Sequence, residues 1–482
     1  MKETIFKILK ILGITLGILA CIFIVLAVVS LIFPSVSYFG YRFIAKNYNS
    51  SEVVISSPVP FSSYNINIST TKYGIEIMGS DEVAGVMSYS YTGFHLGVSD
   101  AENVKVMRTI NGNSLNITVL EPLGLVTSIN CKILIKVSSA YSYNISVSTD
   151  SAKTTISNVQ INHLNGVSKS GDFSVTHETR QLTMQSLNII TTSGDIDFSA
   201  LDDLTIQSKS YISALDSKFT FNNLNASLFI RGSKIFFSAK QIDASINGFE
   251  VVCSSGSFVV LAVISGEKDF TIVSDACNIQ ISNVTGRSSM TTTSGSVNIK
   301  DLNSRDCIIR TTSGNVTVKN AADNIFVITN SGNINVEEFY KTGQFATYSG
   351  NINVISLSPY DINYHTSIST NSGNVIFENN VNKSMISMAG GQANVKFWRV
   401  AQTGDLEHRI NNVNGKTSIG IMAELTDIIR FKLVGTVSGS IRELELYADD
   451  SFIIRPTGST YTAEATFYCT GGQLVFQQLD PR

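Results

Sequence analysis

The sequence predicts an all-β protein: a parallel β-solenoid of 18–24-residue coils behind one N-terminal transmembrane helix. Three observations predict it. A short phrase, Ser-Gly followed by Asn, Asp or Ser and then by alternating apolar residues, returns along the chain at near-constant spacing. The windows around it alternate apolar and polar with period two, the pattern of a half-buried strand. The one long uncharged run lies at residues 11–33.

That run, "ILGITLGILACIFIVLAVVSLIF", would give about 34 Å of helix, enough for a hydrocarbon core of roughly 30 Å. A cleaved signal peptide would have a shorter apolar region ending in small residues. This one runs on to Phe33-Pro34, and Tyr38, Phe39, Tyr41 and Phe43 follow as an interfacial aromatic belt. An uncleaved single-pass anchor is therefore expected over 11–33, after a short cytoplasmic tail (1–10) and before a juxtamembrane linker (34–52). Lys2, Lys7 and Lys10 precede the run, and Arg42 and Lys46 follow it. The positive-inside bias, by one charge, puts the bulk of the chain outside.

The repeat comes next. The phrase reads "SKSGDFSV", "TTSGDIDF", "CSSGSFVV", "TTSGSVNI", "TTSGNVTV", "TNSGNINV", "TYSGNINV" and "TNSGNVIF", with its glycines at Gly171, Gly194, Gly256, Gly295, Gly314, Gly332, Gly350 and Gly373. The last four intervals are 19, 18, 18 and 23 residues. Longer gaps hold degenerate copies, such as "SDACNIQIS" with Ala276 in the glycine's place. Apolar residues keep register with the glycine. Two residues on stand Ile196, Val297, Val316, Ile334, Ile352 and Val375, and four on stand Phe198, Ile299, Val318, Val336, Val354 and Phe377. Five residues before come Met290, Ile309, Val327, Phe345 and Ile368, and seven after come Leu201, Leu302, Phe339 and Leu357.

One such coil cannot enclose a core, but coils stacked about 4.8 Å apart can, each inward residue resting on its counterpart. The glycine is expected at a sharp corner that needs positive φ or close backbone approach. Asn315, Asn333, Asn351 and Asn374 follow it in register and are expected to form a hydrogen-bonded ladder. The regular solenoid is placed over 151–400, about twelve coils and on the order of 60 Å. Residues 53–150, with "SYNINIS", "YGIEIMGS", "NSLNITVL", "CKILIKVSS" and "YNISVSTD", read as an irregular N-terminal part or cap. Residues 401–482 read as degenerate coils and a C-terminal cap. There "GKTSIGIM" and "SGSIRELELY" are further coils, "GGQLVFQQL" is the final strand, and Trp398 packs at the transition.

These segments resemble the putative-adhesin family with β-strand repeats, a domain family of unknown function. "YGIEIMGSDE", "NSLNITV", "CKILIKVSSAYSYNISVSTDSAKTTISNV" and the serial "TTSGxVxV" carry the resemblance over roughly 60–400. It implies architecture and a membrane-tethered or secreted protein, and it names no catalytic or ligand residue.

Composition bounds the chemistry. Of 482 residues 15% are charged, against about 25% in typical domains, and the net charge is −3. No basic run suggests nucleic acid. Six cysteines, none in a CxxC pair and five outside the apolar run, do not form a disulfide framework and read as small core residues. Five scattered histidines, His95, His163, His177, His365 and His408, lack metal-ligand spacing. A β-helix glycosidase needs two carboxylates about 5–10 Å apart in a cleft. Asp195 with Asp197, Asp202 with Asp203, and Asp449 with Asp450 read instead as turn acids. The sequons at Asn49, Asn67, Asn116, Asn144, Asn225, Asn283, Asn315 and Asn382 permit glycosylation without arguing for it. Neither catalysis nor a cofactor is expected. The expected role is a surface adhesion or structural protein, binding glycans or surface proteins through Asn/Ser/Thr ladders. The alternatives are a self-associating bactofilin-like scaffold and, behind it, a polysaccharide-acting enzyme.

Overall fold

The computed structural model describes residues 2–32, 41–43, 48–49, 53–55, 64–81, 85–98, 105–120, 124–245, 248–266, 269–357, 363–379, 383–397, 406–422, 429–434, 445–446, 451–454, 463–470 and 473–479. The chain divides into two compact units, Met1–Leu201 and Asp202–Arg482. Both are parallel β-solenoids, as the period-two pattern and its 18–24-residue recurrence require.

The first unit opens with one α-helix, Lys2–Ile32, of 31 residues. Ile11, Leu12, Ile14, Leu16, Ile18 and Leu19 are all exposed on it. Among the described residues, no helix is long and apolar enough to cross a membrane. The structure thus supplies the helix expected at 11–33 and does not establish it as a span.

The solenoid of this unit is not stacked in chain order. Strands Tyr64–Thr70 and Gly74–Ser80 are the two sides of one coil. One edge of this coil pairs in parallel with Ser142–Thr149 and Thr154–Ser157. The other pairs with Ser114–Leu120 and the C-terminal half of Gly124–Ser138. The first coil in the sequence is therefore an interior coil, an order on which the reading of 53–150 as an irregular N-terminal part or cap was silent. The reason is a pair of antiparallel excursions. Lys105–Asn111 turns back on Ser114–Leu120 through Gly112 and Asn113, with Gly112 at φ 58° as a two-residue hairpin turn demands. Gly85–Val98 lies antiparallel on Gly124–Ser138. Together they cover an edge that would otherwise present unpaired backbone groups.

Beyond that end the stack is regular: Gln160–Ser168 with Phe173–Thr176, then Ser186–Thr191 with Ile196–Asp197. Leu115, Ile66, Ile145, Leu164 and Leu187 form one inward column, all buried. Full burial of such a side chain is worth about 1.5–3 kcal/mol before chain entropy is set against it.

The second unit begins with four long bent strands that each make most of a coil: Asp203–Thr220, Asn223–Asp243, Phe249–Ile264 and Phe270–Thr285. Phenylalanines fill their interior, with Phe237 stacked on Phe258 at 4.7 Å and Phe249 on Phe270 at 5.8 Å. From Ser288 each coil resolves into two short strands. On the first side Asp306–Thr311, Asn324–Thr329, Gly343–Thr347, His365–Thr370, Lys383–Met388 and Leu406–Asn412 pair in order. On the second side Val297–Asn303, Val316–Ala321, Ile334–Phe339, Ile352–Ser356, Val375–Asn379, Gln392–Phe397 and Lys416–Met422 do so. The predicted columns Ile299–Val318–Val336–Val354–Phe377 and Ile309–Val327–Phe345–Ile368 are fully buried.

Leu357 is an exception. A register shift after Val336 sets Ser356 against Phe339, so Ser356 fills the inward place and Leu357 turns partly out. At the C-terminal side Gln473–Leu479 stacks on Lys416–Met422, and Ala463–Thr470 on Leu406–Asn412. Of "SGSIRELELY" only Glu445–Leu446 is described, antiparallel to Ser451–Ile454 rather than coiled onto the stack. Trp398, Asp449 and Asp450 lie outside the described residues.

Candidate binding faces

Everything a ligand could meet on a solenoid is set by its corners, which aim the side chains on either side. At seven of the eight repeat glycines a buried Thr or Ser stands three residues before the glycine and accepts from the glycine N–H. Thr311 Oγ1 accepts from Gly314 at 2.8 Å, Thr329 from Gly332 at 2.9 Å, and Thr347 from Gly350 at 3.0 Å. Thr370 does the same for Gly373, Thr292 for Gly295, Thr191 for Gly194 and Ser168 for Gly171. The first Thr of "TTSGN" is thus an inward structural residue. Sequence reasoning passed over it, although its recurrence as Thr in six of the eight copies was legible.

The glycines are required by proximity, not by φ. Of the eight, Gly256 alone has a left-handed φ, at 129°, in mid-strand. At the other seven a Cβ would collide with the carbonyl of the residue one coil below. Gly314 would meet Gly295, Gly332 would meet Gly314, Gly350 would meet Gly332, and Gly373 would meet Gly350. Gly194 likewise lies on Gly171, Gly171 on Ala152 and Gly295 on Cys277. The degenerate copy is therefore misread by one residue. Cys277, not Ala276, takes the glycine's register, pairing with Gly256 and lying beneath Gly295. Ile279, two residues after Cys277 and stacked on Val297, carried that information.

The asparagines after the glycine form a continuous spine. Asn315 Oδ1 accepts from the backbone N–H of Asn333, Asn333 from Asn351, Asn351 from Asn374, and Asn374 from Gln392, each at 2.9 Å. Because each partner is an N–H, the atom turned to it must be the carboxamide oxygen. Asp172 fills the role for Asp195 N–H, and Asn278 for Ser296 N–H. This ladder satisfies the corner backbone, so one acceptor site of each carboxamide serves the fold.

Outward rows on the sheet faces are the surfaces left for recognition. In the second unit Asn298, Thr317, Asn335 and Asn353 align on the second side, with Asn353 Nδ2 donating to Asn335 Oδ1 at 2.8 Å. The first side is different in kind. Arg231, Val252, Val273, Thr291, Arg310 and Ile328 follow one another in register, a mixed apolar and cationic row not foreseen from the repeat phrase. In the first unit three outward rows cross five strands. The middle one is Asn116, Asn67, Ser146, Asn165 and Asn188. On one side of it run Ser114, Asn65, Asn144, His163 and Ser186, and on the other Thr118, Ser69, Ser148, Val167 and Ile190. A shallow groove of about 310 Å³ lies along this face.

Two of the acids considered as catalytic pairs hold local and inter-coil polar groups. Asp197 Oδ1 accepts from Ser199 N–H at 2.9 Å, and Asp203 Oδ1 from Asn223 Nδ2 at 2.9 Å. Cys253, Cys277 and Cys307 are buried free thiols. Burial pushes the Cys307 thiol up to about 12, and a hydrogen bond donated to Cys253, together with burial, raises that of Cys277. His408 is buried on Ser384, Nδ1 to Oγ 2.8 Å, and burial holds its imidazole down at about 3. Among the described residues, no group of three or more His, Cys, Asp or Glu could hold a metal ion.

Against known proteins, residues 239–419 match the family model Toastrack DUF4097. No curated protein matches the chain. A crystal structure of a putative cell adhesion protein from Clostridium sporogenes aligns over 90% of this chain and 100% of its own, at 7% identity and a TM-score of 0.16. A likeness of that degree carries no argument about function.

Proposed function

From a Toastrack DUF4097 domain over residues 239–419, a family of unknown function, we propose a membrane-tethered, cell-surface β-solenoid that binds without catalysis, in adhesion or as a structural surface protein. The observation that carries this reading is the outward rows. Hydrogen-bonding and apolar side chains repeat at the coil spacing on rigid sheets, which lowers the ordering cost of engaging an extended partner. Partners of that geometry are glycans and surface proteins. The exposed apolar residues of the helix Lys2–Ile32, Ile11 at 65% and Ile24 at 63% among them, support tethering by that helix.

The test is protease shaving of intact cells that carry a C-terminal epitope tag. Loss of the tag without lysis is the expected result. A protected tag would overturn the surface reading. A second reading, self-association as a scaffold, is favoured by one feature. Among the described residues, Gln473–Leu479 pairs on one edge only, and its sequence QLVFQQL has no charge to blunt further pairing. Sedimentation of the purified chain would show a concentration-dependent rise in mass if that edge is used.

A further inference from the structure

The geometry points to an uncharged polysaccharide as the ligand of the three-row face in the first unit, running across the strands along Asn116, Asn67, Ser146, Asn165 and Asn188. This inference rests on the surface-binding reading and names the ligand class for it. Fifteen outward positions on five strands hold no acid, no lysine and no arginine. Nucleic acids and acidic glycans draw most of their affinity from cationic partners, and this face supplies none. What it supplies are carboxamides and hydroxyls.

The carboxamides are already ordered. Asn67 Nδ2 donates to Asn116 Oδ1 at 2.8 Å, and Asn188 Nδ2 to Asn165 Oδ1 at 3.1 Å. In the neighbouring row Asn144 Nδ2 donates to Asn65 Oδ1 at 2.8 Å, and Asn162, at the register shift beside that row, donates its Nδ2 to Asn144 Oδ1 at 3.1 Å. A carboxamide has two N–H donors and two acceptor sites, so one bond along the row leaves capacity toward a ligand. Because the rotamers are fixed beforehand, a ligand meets little ordering cost.

Neighbouring coils are about 4.8 Å apart, and a sugar ring is comparable in length to that spacing. A polysaccharide strand laid along the row would therefore present its hydroxyls to successive coils in register. Val167, at one end of the groove beside Asn165, and Ile190, on the next strand beside Asn188, are 49% and 58% exposed and offer an apolar strip to the C–H faces of the rings. Hydroxyl partners with apolar ring faces and no charge describe a neutral glycan.

The experiment measures binding of the purified full-length chain to immobilised neutral oligosaccharides (cello-, chito-, manno- and β-1,3-gluco-) and to heparin, hyaluronate and polygalacturonate, in 0.05 and 1 M NaCl. Expected is retention of a neutral oligosaccharide that changes less than about twofold between the two salts, as binding without ion pairs should. Asn67→Leu with Asn165→Leu should weaken it about tenfold or more. Should that variant misfold, Val167→Asp keeps the ladder and tests the same groove with the same expectation. Binding confined to the acidic glycans and lost at high salt overturns the inference. So does neutral-glycan binding that neither variant weakens, or retention of an extended uncharged peptide with no glycan bound. If no glycan binds while the C-terminal tag is still shaved and the cells still adhere, this inference fails and the surface-adhesion reading stands. A protected tag removes both.

Discussion

At the scale of single residues, a corner glycine and a buried threonine carry more of the architecture than their surroundings suggest. Gly332→Ala would drive a methyl into the carbonyl of Gly314, and the stacked backbone cannot move aside without disturbing two coils. The expected cost is about 2 kcal/mol or more, read as a lower denaturant midpoint. Gly390→Ala, where the nearest atom would lie 3.9 Å away, should be close to neutral under the same assay. Thr329→Val keeps the shape but leaves the Gly332 N–H without its acceptor, a loss of about 1–3 kcal/mol that Thr329→Ser should largely restore. The glycine's place was legible from spacing alone. Its physical cause was not, because distance to the next coil is a property of the stack and appears nowhere in one copy. The Asn spine was legible as a register and only half legible as chemistry, since a sequence cannot say whether a side chain bonds its counterpart or the backbone beside it.

Among the strands, Leu406–Asn412 carries a titration that should be visible in stability. His408 is 2% exposed, and burial holds its imidazole near 3, well below the unfolded value of about 6.5. Because the folded value is depressed, the stabilisation is complete above about pH 6.5. It drains away as pH falls toward 3, where the unfolded chain binds a proton that the folded chain refuses. Stability should drop by about 1.4 kcal/mol per pH unit across that window, and His408→Gln should abolish this component of the slope. Denaturant titrations at pH 7, 6, 5 and 4 would show it, and a slope identical in both proteins would refute the assignment. The strand itself was poorly legible. Its copy lacks the Ser-Gly phrase, and Asn412 stands at the corner where other coils place Thr, so register had to come from the pairing of Ile410 with Ile386. Leu357 shows the opposite error, a well-formed match to the repeat displaced by a one-residue shift between coils.

For the molecule as a whole, repeat spacing read out the regular coils, whereas the order of stacking in the first unit stayed hidden. Pairings there join residues 49 and 79 apart in sequence, as in the bonds of Asn67 with Asn116 and Asn65 with Asn144. No local pattern announces which distant strand will lie alongside. Deleting Tyr64–Ser80 should accordingly abolish the first solenoid, because coils 114–138 and 142–157 both lose the coil that joins them. Far-UV circular dichroism and limited proteolysis would check this, and a folded, protease-resistant product would contradict the topology. The interior position of that coil also has a mechanical meaning. A protein held at one terminus and gripping a partner elsewhere is loaded in tension. A solenoid wound in chain order yields by peeling, its end coil unzipping a few bonds at a time. Here force passing inward from the N-terminus first meets the short antiparallel pairings of Tyr41–Phe43, Tyr48–Asn49 and Val53–Ile55 on Gly85–Val98, and beyond them Tyr64–Thr70, which is bonded along both edges, so that the two neighbouring ladders must be sheared together rather than opened in sequence.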